Sequence, residues 1–356
     1  LCFDSWRLGV LVVHYKDRNS KGGTNLHLIG VVVIGRNEGN RLHQCLLSVI
    51  RKGITVVYVD SGSTDASVAL ARLLGVHVVE LDLSIAFTAA RARNAGFEYL
   101  LQIKPEVEYV QFVDGDCRIV EGWLERAACE LDTYPEVMVV CGRRREEFAE
   151  NSIYNRLLDI EWNTPVGEAK ACGGDSMMRV TALKNVGGFN PSLIAGEEPE
   201  LCLRLRQAGG KILRIDVDMT WHDGQMTRFG QWWKRSVRSG HGYAEGAWLH
   251  GRSPERHWVK ESLRIWVWSL VLPLLAIATL SPTHGLSILL LLLAYVFSGY
   301  RAYRYARCRG FAPKDAIVYA LFCVLGKYPQ LIGQSQFYLF KLCKRQPTIV
   351  EYKGAF

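Results

Sequence analysis

Two aspartates separated by one glycine, Asp114-Gly115-Asp116, close a short apolar run that starts at Val110. An apolar run of this length, bounded by a turn signal, reads as a buried strand. The two carboxylates then stand at its carboxyl edge, where open α/β sheets bind their ligands. Carboxylates this close repel each other in a partly buried site unless a cation neutralises them. A hard divalent ion holding a phosphate meets that need, because Mg²⁺ takes one or two carboxylates and fills its shell with phosphate oxygens. Taken alone, the same tripeptide also reads as a surface Asp-Gly turn.

The elements around it must decide. Strand patterns at 28–34, 54–59, 77–81, 109–113 and 137–141 alternate with helical patterns at 40–50, 64–74, 89–103 and 122–131, with Ser63 placed to cap the second helix. Such alternation implies an α/β fold whose mainly parallel sheet carries helices on both faces. The loops after the first, second and fourth strands read Gly35-Arg36-Asn37-Glu38, Asp60-Ser61-Gly62-Ser63-Thr64-Asp65 and Asp114-Gly115-Asp116. Polar, acidic sequences at three strand ends point to a ligand rather than to turns alone. Neither GxGxxG nor GxxxxGK[ST] occurs, so a dinucleotide cofactor and a P-loop are both unsupported.

From about Leu28 to Tyr243 these motifs resemble, in order, those of the family 2 glycosyltransferases of GT-A fold. Val31–Glu38 is similar to the family's first strand and its Asn-Glu loop, and Asp60–Asp65 to its D-x-G-S-x-D loop. Ala92-Arg93-Asn94-Ala95-Gly96 is similar to its A-R-N-x-G helix, and Asp114-Gly115-Asp116 to its DxD. Gly187-Gly188-Phe189-Asn190 followed by Gly196-Glu197-Glu198-Pro199-Glu200-Leu201 resembles GGF…GEDxxL. The resemblance implies inverting transfer of a sugar from a UDP- or GDP-sugar, assisted by Mg²⁺ or Mn²⁺. It implies Asp116 as metal ligand, with Asp114 at the ribose or a metal-bound water. Arg36, Glu38, Asp60 and Arg93 would orient the nucleotide-sugar. Glu198, or else Glu197, would be the base that takes the acceptor's proton. Where the family has Asp, this chain has the longer Glu198. Glu197, Glu198 and Glu200 also suit the acidic first turn of a helix over 201–207.

A strand is expected at 211–215, followed by Trp221-His222-Asp223, where His222 is a candidate metal ligand. Gln231-Trp232-Trp233-Lys234-Arg235 partly resembles the QxxRW of processive members. Gln231, Trp232 and Arg235 could meet acceptor or diphosphate, or form an interfacial helix. Arg143-Arg144-Arg145 reads as a solvated basic loop, with contact to an anionic acceptor such as a lipid phosphate as the alternative.

From 265 to 300 there is no Asp, Glu, Lys or Arg, and Ser281-Pro282-Thr283-His284-Gly285 supplies a turn. A span needs about 20 apolar residues, so this stretch suits a helical hairpin. The net charge of +8 gathers around it: Arg252, Arg256, Lys260 and Arg264 precede it, and Arg301, Arg304, Arg307 and Arg309 follow. Cations at both ends place both ends in the cytoplasm and attract anionic lipids. That distribution speaks for a membrane and against nucleic acid. Residues 316–340, broken by Lys327, Pro329, Gly333, Gln334 and Gln336, read as an in-plane amphipathic segment. Ten scattered cysteines without metal spacing read as reduced thiols.

The expected organisation is an extension at 1–26 that lacks signal-peptide character, and a GT-A domain at 27–245 divided near 145 into nucleotide and acceptor halves. A basic-flanked hairpin at 246–310 and an interfacial segment with cytoplasmic tail at 311–356 complete it. The expected role is sugar transfer at the plasma (inner) membrane to a glycan or lipid-linked acceptor, within reach of a polysaccharide assembly complex. Transfer to polyprenyl phosphate is the enzymatic alternative, and a non-catalytic nucleotide-binding membrane scaffold is the alternative of another class.

Overall fold

The computed structural model describes residues 26–344. The extension expected at 1–26 falls outside this range except for Leu26, as does the end of the expected tail, 345–356. The chain forms two compact units: one runs to Glu147 and resumes over Trp162–Gly224, and the other takes Phe148–Glu161 and everything from Gln225.

The first unit is built on one mixed sheet. Its elements are β1 (Ile29–Gly35), α1 (Asn40–Val49), β2 (Thr55–Asp60), α2 (Ser67–Leu73), β3 (His77–Glu80), α3 (Ala89–Ile103), β4 (Tyr109–Asp114), β5 (Cys117–Ile119), α4 (Trp123–Thr133) and β6 (Val137–Glu146). The run between Glu146 and β7 (Gly167–Ala169) carries α5 (Ile153–Trp162), of which only Trp162 belongs to the sheet unit. Then follow β8 (Ser176–Arg179), α6 (Val180–Asn185), α7 (Glu197–Gln207) and β9 (Lys211–His222). The strand order is β3-β2-β1-β4-β8-β6-β9-β5, with β7 also on β9.

Register explains the site. In the parallel pairs, Gly35 sits beside Asp60 and Ile34 beside Asp114, so the three polar loops leave the sheet at one edge. Helix α3 lies tight on this part of the sheet. A Cβ on Gly96 would come within 2.4 Å of Val32 and 2.7 Å of Val59, so only glycine permits that approach. On the other side, β9 carries His222 between two neighbours: opposite Cys117 of β5 and beside Glu146 of β6.

Three boundaries differ from the expectation. Helix α2 begins at Ser67, not at 64, because Ser63 and Thr64 are used otherwise: the Ser63 hydroxyl accepts from Asn37 N at 2.9 Å, and Thr64 N donates to Asn37 Oδ1 at 2.7 Å. Ala66 stands at the N-cap with no side-chain bond, and Asp65 before it accepts from Ser67 N at 3.0 Å. Strands β6 and β9 continue well past 141 and 215. Their pairing absorbs irregularities between Cys141 and Arg144, which a search for simple alternation misses.

The second unit holds most of α5 with α8 (Phe229–His250), α9 (Val259–Trp266), a π-helical turn at Val267–Val271, α10 (Leu272–Ala278), α11 (Leu286–Cys308), α12 (Pro313–Leu325) and α13 (Lys327–Leu342). Three helical stretches, Val259–Ala278, Leu286–Cys308 and Pro313–Leu342, are long and apolar enough to cross a membrane. The third covers the segment expected to lie in-plane, and it consists of two helices, α12 and α13, that meet at Gly326 beside the expected break at Lys327. Two of the residues that looked like breaks are contacts: Gly333 lies against Val237 of α8, and buried Gln334 accepts from the Ser262 hydroxyl at 2.8 Å. A Cβ on Gly333 would stand 1.9 Å from Val237 O, and one on Gly240 2.1 Å from Gln330 O. Alanines 302, 306, 316 and 320 let α11 and α12 approach closely in the same way.

Gly333→Ala is therefore expected to destabilise the helical unit by about 1–3 kcal/mol through overpacking. At Gly299 a Cβ meets nothing nearer than 3.8 Å, so Gly299→Ala is expected to be neutral. Thermal unfolding of the detergent-solubilised variants checks both.

Candidate active site

The site is organised around Arg93, on the second turn of α3, whose N-terminus Thr88 caps by accepting from Arg91 N at 3.0 Å. Its guanidinium is almost wholly buried and meets three carboxylates. Nη2 donates to Asp114 Oδ1 at 2.9 Å, and Nη1 lies 3.1 Å from Glu197 Oε1 and 3.0 Å from Glu198 Oε1. Burial works against the Arg93 charge, but Glu198, Asp114 and Glu197 outweigh it and raise its pKa. Glu197 and Glu198 open α7 after Gly196, whose φ of +82° favours glycine. The acidic first turn and the candidate base are thus the same residues. Burial, helped by the neighbouring Glu197 charge and opposed by Arg93, pushes the Glu198 carboxyl up to about 7.

A second cluster forms around Asp116. His222 Nδ1 lies 2.7 Å from Glu146 Oε2, and its Nε2 faces Asp116 Oδ2 at 3.4 Å. Burial and the Arg144 charge outweigh Glu146 and lower the His222 pKa, favouring the neutral ring. With the proton on Nδ1, directed to Glu146, the Nε2 lone pair and the Asp116 carboxylate are two acceptors facing one another. That arrangement asks for a cation, and a carboxylate orienting a histidine is the usual support of a metal-ligating imidazole. Cys117 Sγ lies within 4.8 Å of the Asp116 and His222 ligand atoms. Burial outweighs Arg144 and raises the thiol pKa, so it stays protonated and suits a hard ion poorly. Asp116 and His222 therefore fit a divalent ion by their donor chemistry.

The nucleotide-side candidates share the strand edge. Asp60 accepts from the Tyr58 hydroxyl at 2.8 Å and from Gly62 N and Ser63 N at 2.9 and 2.8 Å, which fixes its own loop. Burial, and then the Asp60 charge, raise the Tyr58 pKa. Arg36 donates from Nε to Gly62 O at 3.3 Å and lies over Phe87, while Glu38 pairs with Arg41 at 2.7 Å. The structure thus brings Arg36, Glu38, Asp60, Arg93, Asp114, Asp116, Glu197, Glu198 and His222 into one unit. Gln231, Trp232 and Arg235 belong to the other, where they have work of their own. Gln231 Oε1 accepts from Arg228 N in a capping box, Trp232 is buried against Phe229 and Phe322, and Arg235 pairs with Glu161 at 2.8 Å.

Sequence reasoning missed three residues here. Arg144 is no solvated loop cation: it lies in β6 and reaches Asp114 at 3.1 Å, Asp116 at 3.8 Å and Asp175 at 3.3 Å. It also stacks over Trp162, whose ring meets His222 edge-on at 4.7 Å. Asp175, fully buried, accepts from Asp114 N at 3.0 Å and from the Thr220 hydroxyl at 2.7 Å. Glu146 was likewise overlooked. The one sequence signal for Asp175 is the preceding Gly173-Gly174. A Cβ on Gly174 would stand 2.5 Å from Arg93 Nη2 and 2.9 Å from Asp114 Oδ2.

Residues 30–185 match the family model for glycosyl transferase family 2. The chain is 31% identical over 205 residues to the succinoglycan biosynthesis protein ExoA of Rhizobium meliloti, covering 52% of this chain and 60% of that protein. It is 25% identical over 222 residues to the pre-mycofactocin glycosyltransferase of Mycobacterium tuberculosis, covering 59% of this chain and 45% of that one. The chain therefore spans only about half the length of these curated relatives. Among solved structures it is similar to the mannosyltransferase PcManGT of Pyrobaculum calidifontis, in complex with GDP-Man and Mn²⁺. The TM-score is 0.56 at 15% identity, covering 88% of this chain and 87% of that one. That likeness shows the fold, which is GT-A.

If Glu146 orients His222 toward a bound ion, Glu146→Gln should weaken Mn²⁺ binding about 10–100-fold. Cys117→Ser should leave it within a few-fold. Calorimetric titration of metal into the purified protein distinguishes the two.

Proposed function

We propose, from the match of residues 30–185 to the model for glycosyl transferase family 2, that the protein moves a sugar, with inversion, from a nucleotide-diphospho-sugar to a membrane-associated glycan or lipid-linked acceptor. One observation carries this reading. A single buried guanidinium, Arg93, joins the DxD carboxylate Asp114 to the candidate base Glu198, so donor-side and acceptor-side groups meet at one point.

In this reading Glu198 takes the proton of the acceptor hydroxyl as its oxygen attacks the anomeric carbon. The bond from that carbon to the diphosphate breaks on the opposite face, and its electron pair leaves with the diphosphate. A pKa near 7 suits this task, because a base works best when its pKa lies close to the working pH. Arg93 holds Glu198 in place, and Asp175 and Arg144 hold Asp114. Asp60, Glu38 and Arg36 line the nucleotide side. Asp116 and His222 would hold Mg²⁺ or Mn²⁺, which supplies positive charge to the leaving diphosphate.

The polysaccharide role printed for the Rhizobium relative supports an envelope or extracellular polysaccharide as product. The GDP-Man and Mn²⁺ in the Pyrobaculum structure make that pair the first to try. The uncharged hairpin at 265–300 and the cations on both its flanks support a plasma-membrane enzyme with its catalytic unit on the cytoplasmic side.

Nucleoside-diphosphate release from a panel of UDP- and GDP-sugars, in detergent with a membrane-lipid extract, tests the reading. Release from one donor is expected, lost with chelator and with Asp116→Ala; binding without release from any donor would leave a scaffold. With a hydroxyl acceptor, kcat/KM should fall tenfold per pH unit below about 7, as Glu198 becomes protonated. Glu198→Gln should lower kcat about 10²–10⁴-fold and remove that limb. Retention of most activity by this variant would instead mark a phosphate acceptor, which needs no base.

A further inference from the structure

Within the helical unit, α9, the π turn, α11, α12 and the start of α13 enclose a cleft of about 180 Å³. Arg264, Arg301 and Lys327 line it, each from a different helix, and among the described residues no carboxylate does. Trp268, Tyr295 and Phe297 supply its apolar wall. That wall is fixed: the Tyr295 hydroxyl donates to Trp268 O at 2.6 Å and accepts from the Tyr328 hydroxyl at 3.0 Å. Lys327 Nζ reaches Gln330 Oε1 at 3.4 Å, which restrains the ammonium. A water needs only about 10–15 Å³ of such space, so a phosphate and the first carbons of a chain fit.

The level of the cleft matters as much as its charge. Arg264 is the last charged residue before the uncharged hairpin, and Arg301 is the first after it. The cleft thus lies where hydrocarbon gives way to headgroups, and its cations face the depth at which lipid phosphates sit. We infer that this cleft is a binding site for the phosphate head of an anionic membrane lipid, with the aromatic wall receiving the start of the lipid chain. The inference rests on the membrane reading of these helices and is independent of any sugar transfer.

Scattered surface cations attract anionic lipids without selectivity, whereas a site requires its own three cations. The full-length protein would be reconstituted in phosphatidylcholine nanodiscs, and lipid retention followed by native mass spectrometry, with no nucleotide-sugar present. Phosphatidic acid or polyprenyl phosphate would be titrated in, and inorganic phosphate would be added separately. Selective retention of the phosphate-headed lipid is expected, falling about fivefold for each charge removed in Arg264→Gln, Arg301→Gln and Lys327→Gln. Arg309→Gln, at the far end of α11, should change little. Inorganic phosphate alone should displace the lipid weakly, because it lacks the chain. Equal losses from Arg309→Gln and the cleft variants would overturn the proposal, as would retention unaffected by all three. Circular dichroism of each variant separates loss of the site from loss of the fold. The lipid arm can succeed while sugar transfer fails, and the reverse, so the two readings fall separately.

Discussion

Everything at the sheet edge depends on burying one guanidinium. An unpaired charge in that position would cost several kcal/mol, so Arg93 is tolerable only while its carboxylates stay in reach. Those partners come from distant parts of the chain: Asp114 ends β4, and Glu197 and Glu198 open α7. The ion cluster therefore ties helix, strand and loop together before any ligand arrives. It also keeps two glutamates close enough to repel, and that repulsion, added to burial, keeps a proton on Glu198 near neutral pH. Stability and chemistry draw on the same contacts.

Much of this was legible in the chain. The alternation of elements, the three polar loops and the ordered family motifs placed the strand edge and nearly all its acidic residues. Each of those signals is local, a run of seven or eight residues with its own periodicity. Arg144, Glu146 and Asp175 were not legible, because their roles arise from pairing between strands far apart in sequence. Glu146 matters only because β6 lies beside β9 in a register that sets it next to His222. The irregular pairing around Cys141–Arg144 disguised the end of β6, so a strand that delivers a buried counter-ion looked like an exposed basic loop.

The helical region shows the same limit from the other side. Polar and small residues in 327–336 suggested interruption, since in water they mark breaks. Between closely packed helices they mark contact: glycine lets backbones meet, and a buried amide finds a hydroxyl across the interface. Composition alone does not distinguish the two cases, because the meaning of a glycine depends on what stands opposite it.

The spacing of Arg264 and Arg301 has a mechanical consequence. The uncharged arms between them and the turn, 265–278 and 286–300, reach only roughly 21–23 Å at 1.5 Å per residue, against about 30 Å of bilayer hydrocarbon. The uncharged arms are thus shorter than an average bilayer is thick, and the two helices, Val259–Ala278 and Leu286–Cys308, reach its full thickness only with their charged ends included. The mismatch costs fractions of a kcal/mol per ångström, and it can be relieved by drawing the two leaflets together around the protein or by stretching the long cationic side chains outward. In a bilayer, a hairpin built this way would favour thinner surroundings, or carry its flanking cations stretched toward the headgroups.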